Sequence, residues 1–182
     1  MATASNRSIP WAYGAVAGVA AYVIEYLLAF LLWSTTEFPA TMGGMLREFL
    51  TNQVPDWVFA GWLLYNAHFV DIRIEGMMGR SRWNFIDLVT QSSTDILYIV
   101  VPGILLVAGV ALARAVGARD AGDGALAGAT VIVGYLPLAV IGTVVFTAQN
   151  GAPVLVQSVL LAGIVYPVAI AAIGGGIAAA LD

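Results

Sequence analysis

Three ionisable side chains in this 182-residue sequence stand where chemistry can be built: Glu25, His68 and Asp71. Glu25 interrupts the apolar run "IPWAYGAVAGVAAYVIEYLLAFLLWS" near its middle. A lone acid at the centre of a membrane-crossing helix costs ~2.5 kcal/mol or more on insertion scales, so it must face other helices or water. Used functionally, it is an intramembrane proton or cation site, with Tyr22, Tyr26, Tyr98, Thr143 or Gln157 as partners. The competing reading is a single buried acid, satisfied by tyrosine hydroxyls, that fixes how the helices pack.

His68 and Asp71 are three residues apart and share a helix face, with Glu75 four further on. That spacing suits a metal ligand set or a carboxylate-oriented base. With one histidine and no cysteine in the chain, one helical turn does not close a metal site, and no metal set is expected. The alternative is that Asn66, His68, Asp71 and Arg73 end an apolar segment at the headgroups, where Trp62, Tyr65 and His68 snorkel.

Composition narrows the chemistry further. The absence of cysteine removes disulfides, thiolate nucleophiles and iron–sulfur clusters; the absence of lysine removes Schiff-base cofactors and a phosphate-binding P-loop. Gly174, Gly176 and Ala179 spell G-x-G-x-x-A, but within an apolar helix with no strand before it, so no dinucleotide site and no other cofactor is expected. Ser81, Ser92 and Ser93 form no triad with His68. Net charge is −4, which leaves no basic surface for nucleic acid. Hydrophobic residues make up 60% of the chain and charged residues 10%, well below the roughly 25% charged of soluble domains.

The elements that must position these residues are therefore membrane helices. The expected fold is an all-α integral membrane bundle, one domain over residues 1–182, with spans at about 10–33, 95–113, 125–148 and 153–180. Trp11 and Trp33 bracket the first span, as interfacial aromatics do. Residues 34–94 form a long polar and amphipathic loop. In it, Met42, Met45, Leu46, Phe49 and Leu50 recur at helical spacing, as in a helix lying in the interface. The short apolar segment 57–70 is too brief to span comfortably and is expected to be buried, re-entrant or interfacial; if it crosses, the spans number five. In the four-span arrangement both termini are inside, with Arg7, Arg114 and Arg119, while Arg47, Arg73, Arg80 and Arg82 are outside. Asn6-Arg7-Ser8 is a glycosylation sequon. Gly14 and Gly18 form GxxxG, and Pro102, Pro137 and Pro167, each near a tyrosine (Tyr98, Tyr135, Tyr166), are expected to kink or pack helices.

The stretches "GWLLYNAHFVDI", "DILYIVVPGILLVAGVALA", "GATVIVGYLPLAVIGTVVF" and "LLAGIVYPVAIAAIGGGIA", after a single apolar helix, resemble a family of uncharacterised multi-pass membrane proteins of halophilic archaea. The resemblance implies a cell-membrane location and carries over no functional residue. The leading expectation is a structural or accessory subunit, whose partners are the lipid bilayer and another membrane subunit or itself. The alternatives are a small transporter or channel using Glu25, and a membrane-surface enzyme using His68 and Asp71.

Overall fold

The computed structural model describes residues 10–35, 54–76, 79–88, 93–148 and 151–181. The expected interfacial helix at Met42 to Leu50, with Arg47, and the sequon at Asn6 lie outside the described residues. The helices are α1 (Trp11–Thr35), α2 (Asp56–Ala67), α3 (Phe85–Leu88), α4 (Leu97–Ala115), α5 (Ala121–Ala129), α6 (Ile132–Val145), α7 (Leu155–Gln157) and α8 (Tyr166–Leu181). A 3₁₀ turn, Ser93–Ile96, leads into α4, and a π-helical stretch, Ser158–Val165, joins α7 to α8. Taken with these joints, four helices are long and apolar enough to cross a membrane: Trp11–Thr35, Thr94–Ala115, Ala121–Val145 and Leu155–Leu181.

Small residues set how closely these helices approach. A side chain at Gly18 would collide with the Val131 carbonyl and the Tyr135 amide, and one at Gly14 with Thr130. The order of these contacts makes α1 parallel to the α5–α6 helix. Gly109 and Gly174 likewise admit the backbones of Ala171 and Leu106, which makes α4 antiparallel to α8. Such backbone-to-backbone approach is what glycine permits and any Cβ forbids. Gly14, Gly18, Gly109 and Gly174 thus serve close contacts between helices of this chain. Pro102 and Pro137 lie inside α4 and α6, while Pro167 is the second residue of α8, directly after the π-helical stretch. A ring that cannot donate a hydrogen bond sits well where the helix is already changing pitch. Between α5 and α6 the helix breaks at Thr130 and Val131, where the Thr130 hydroxyl bonds back to the Ala127 carbonyl at 2.6 Å. Asp120 caps α5 by accepting the Asp123 amide at 2.9 Å.

Two features of residues 54–88 bear on the expected pattern. First, the fold is mostly helical but not all-α: β1 (Ile72–Gly76), β2 (Gly79–Trp83) and β3 (Gly151–Pro153) form an antiparallel sheet in the order β2-β1-β3. "IRIEG" alternates apolar and polar residues at period two, which is strand and not helix patterning. Gly79, at φ +107, takes a backbone conformation that glycine alone adopts readily. Residues 151–153, at the junction of the expected spans 125–148 and 153–180, are the third strand. Second, of the buried, re-entrant and interfacial placements expected for 57–70, α2 takes the buried one. Ten of its twelve residues are buried, and Trp62, Tyr65 and His68 are at most 1% exposed instead of snorkelling. At ~1.5 Å per residue it is about 18 Å long, too short for a span. Trp33 Nε1 donates to Asp56 at 2.8 Å and Trp62 Nε1 to the Phe146 carbonyl at 2.7 Å, fastening α2 to α1 and to the end of α6.

Candidate functional site: a buried Glu–Tyr–His chain

The buried positions of α1 are Gly14, Gly18, Ala21, Tyr22, Glu25, Ala29 and Trp33, a helical stripe that faces α6 and α2. Glu25 belongs to that stripe, so its carboxyl enters the interior, where it is 0% exposed. The glycine contact between α1 and α6 brings the Tyr135 ring edge-on to Tyr22, with centroids 5.2 Å apart. From there the Tyr135 hydroxyl reaches Glu25 Oε2 in a short hydrogen bond and lies 2.8 Å from His68 Nε2. His68 is placed by the end of α2: its amide donates to the Tyr65 carbonyl at 3.0 Å, and Nδ1 lies 2.8 Å from the Leu64 carbonyl. A carbonyl can only accept, so Nδ1 carries a proton and Nε2 faces the tyrosine. Glu25 Oε2 and His68 Nε2 are 3.8 Å apart. Glu25 Oε1 is buried with no hydrogen-bond partner among the described residues.

Two of the sequence-derived candidates, Glu25 and His68, are therefore brought together, and Asp71 is not with them. The Asp71 amide donates to Gln157 Oε1 at 2.8 Å and Gln157 Nε2 returns to Asp71 Oδ2 at 3.2 Å, a reciprocal clasp between β1's approach and the last long helix. Glu75 instead meets Arg80 at 3.1 Å and Arg73 at 3.6 Å. Among the described residues no three metal-ligating side chains gather. None of the five expected partners bonds Glu25: Tyr26 donates to the Trp57 carbonyl, Tyr98 to Asp87, Thr143 to Val140, Gln157 holds Asp71, and Tyr22 pairs with the Tyr65 hydroxyl at 3.4 Å. The partner is Tyr135, a residue the sequence marked only by its neighbouring proline. Of the three tyrosines of the Tyr–Pro sites, Tyr135 and Tyr166 meet the chain and Tyr98 stands beside it. Tyr166 packs edge-on to His68 at 5.1 Å, and Tyr98 stacks on Phe69 at 5.0 Å.

The proton count of this chain is constrained. Tyr135 has one proton and two acceptors. If it donates to a Glu25 carboxylate, then His68 Nε2 must bring its own proton and is an imidazolium. If His68 is neutral, Tyr135 donates to Nε2 and the carboxyl brings the proton. Burial holds the His68 imidazole down at about 4, against an ordinary 6.5, with the Leu64 hydrogen bond opposing part of that shift. The second, charge-free arrangement is therefore the resting one near neutrality, and it avoids burying an ion pair. The two arrangements differ by shifting two protons along existing hydrogen bonds. Such a rearrangement is what a proton relay uses.

A family described as "Family of unknown function (DUF7978)" matches residues 1–182, and the chain belongs to that family. No curated protein and no solved structure matches it.

Proposed function

Membership of a family of unknown function leaves activity to the geometry, and we propose that this chain is an integral membrane protein that passes protons through the Glu25–Tyr135–His68 chain, as a small proton-conducting or proton-coupled transporter. The observation that carries the reading is the Tyr135 hydroxyl bridging a wholly buried carboxyl and a wholly buried imidazole. Membrane insertion is supported by the four long apolar helices and by what their outer faces present: Val16, Ile99 and Val144 are each more than 70% exposed. Apolar surface on that scale suits lipid and not water.

A proton fits the site better than a metal cation. Hard cations take about six oxygen ligands, whereas the cluster offers two carboxyl oxygens and one hydroxyl. The free Glu25 Oε1 is the point at which a water or hydronium would join the chain. A surface enzyme built on His68 and Asp71 has little support, since His68 is 1% exposed and Asp71 is held by Gln157.

The test is reconstitution into phospholipid vesicles carrying an internal pH dye, with a potassium gradient and valinomycin to drive proton entry. Wild type is expected to acidify the lumen, and Glu25→Gln and Tyr135→Phe to abolish that flux while remaining folded by circular dichroism. A folded wild-type protein with no flux above empty vesicles overturns the reading, as does full flux in folded Glu25→Gln.

A further inference from the structure

At the opposite extreme from the buried chain is the β1–β2 hairpin. Its register pairs Arg73 with Arg82 and Glu75 with Arg80, so these four side chains share one face. Ile72, Ile74 and Trp83 occupy the other face, with Ile72 buried in the core and Ile74 and Trp83 packed against it. The outer face carries three guanidiniums and one carboxylate, a local excess of two positive charges on a chain whose net charge is −4. Like charges placed directly opposite on a sheet destabilise it. Glu75 is shared between Arg80 and Arg73, while exposed Arg82 has no carboxylate partner among the described residues.

Position says what covers this face. β1 pairs with β3, and β3 lies between the helices Ala121–Val145 and Leu155–Leu181. With strands ~4.8 Å apart, β2 lies within about 10 Å of that connection. If those two helices cross a bilayer, the arginine face stands at headgroup depth. Every cation of the chain is an arginine, whose planar fork suits a phosphate better than an ammonium does. We infer that Arg73, Arg80 and Arg82 bind the phosphates of anionic phospholipid headgroups, anchoring the hairpin to the bilayer surface. This rests on the membrane-crossing part of the proposed function and is independent of the proton chain.

The experiment compares thermal unfolding in nanodiscs of phosphatidylcholine alone with nanodiscs of phosphatidylcholine and phosphatidylglycerol in equal parts. Wild type is expected to unfold at a higher temperature in the mixed discs. At least half of that shift should disappear in Arg73→Gln/Arg82→Gln, and Glu75→Gln should keep or enlarge it. Glu25→Gln should retain the shift in full, which separates this proposal from the proton reading. An undiminished shift in the double arginine variant overturns the inference. So does an equal stabilisation by inorganic phosphate added to phosphatidylcholine discs, because the ligand is then free phosphate. A folded chain that stays out of the discs overturns it together with the membrane reading.

Discussion

The interior chain of Glu25, Tyr135 and His68 and the exterior face of Arg73, Glu75, Arg80 and Arg82 hold similar chemical groups under opposite conditions. In the interior Glu25 and His68 are at most 1% exposed, so bulk solvent does not stand in for a lost partner and each polar atom depends on the geometry of three separate helices. On the hairpin, Arg80 and Glu75 are 76% and 49% exposed, and solvent replaces any contact that breaks. The same carboxyl chemistry is therefore structural and proton-sharing in one place and merely attractive in the other. Substitutions in the two regions should separate by an order of magnitude in their effect on stability.

The largest effect is expected at the contact that makes the interior possible. Gly18→Val drives a side chain into the Val131 carbonyl, which is backbone and cannot step aside, so no folded protein should survive detergent extraction and size exclusion. Next, Tyr135→Phe removes one hydroxyl and leaves two buried polar groups without a partner. At ~1–3 kcal/mol per unsatisfied group, a loss of about 2–6 kcal/mol should appear in denaturant unfolding.

A smaller, pH-dependent loss follows from His68. Its folded-state value lies below its unfolded value, so the unfolded chain binds the extra proton between about 6.5 and about 4. Stability therefore falls as pH drops through that window and levels off below it. The unfolding temperature should show this fall in wild type and lack that component in His68→Gln. The smallest effect is on the hairpin: Arg80→Ala in neutral-lipid discs should change stability by no more than ~0.5 kcal/mol, since exposed ion pairs contribute little. A large loss there, or a negligible one at Tyr135, would erase the contrast between the two regions.

Much of the scaffold was legible in the sequence because long apolar helices announce themselves by length. The apolar runs around Glu25 and after Asp95 need no tertiary knowledge, and neither does the demand that Glu25 face inward. The hairpin was also written there, in the alternation of Ile72, Arg73, Ile74 and Glu75, but the surrounding helical signals masked it. What could not be read was which residue meets Glu25. Tyr135 is 110 positions away, and it arrives only because Gly14 and Gly18 admit the α5–α6 backbone. His68 was likewise ambiguous: an apolar segment ending in polar residues describes a helix leaving at the headgroups as well as one buried end-on. Asn66 decides the matter, with Nδ2 bonded to the Val70 carbonyl at 2.8 Å and Oδ1 to the Phe85 amide at 2.9 Å, a latch no spacing rule reveals.

The chain contains a single histidine, so ¹⁵N-histidine labelling, with a purification tag free of histidine, gives a spectrum of one site. In lipid at neutral pH the nitrogen shifts of His68 should show a neutral ring protonated at Nδ1, with Nε2 accepting a hydrogen bond. Tyr135→Phe should move the Nε2 resonance while leaving Nδ1 in place. A ring protonated at Nε2 instead, an imidazolium at neutral pH, or an Nε2 resonance unmoved by Tyr135→Phe would contradict the charge-free proton chain on which the account rests.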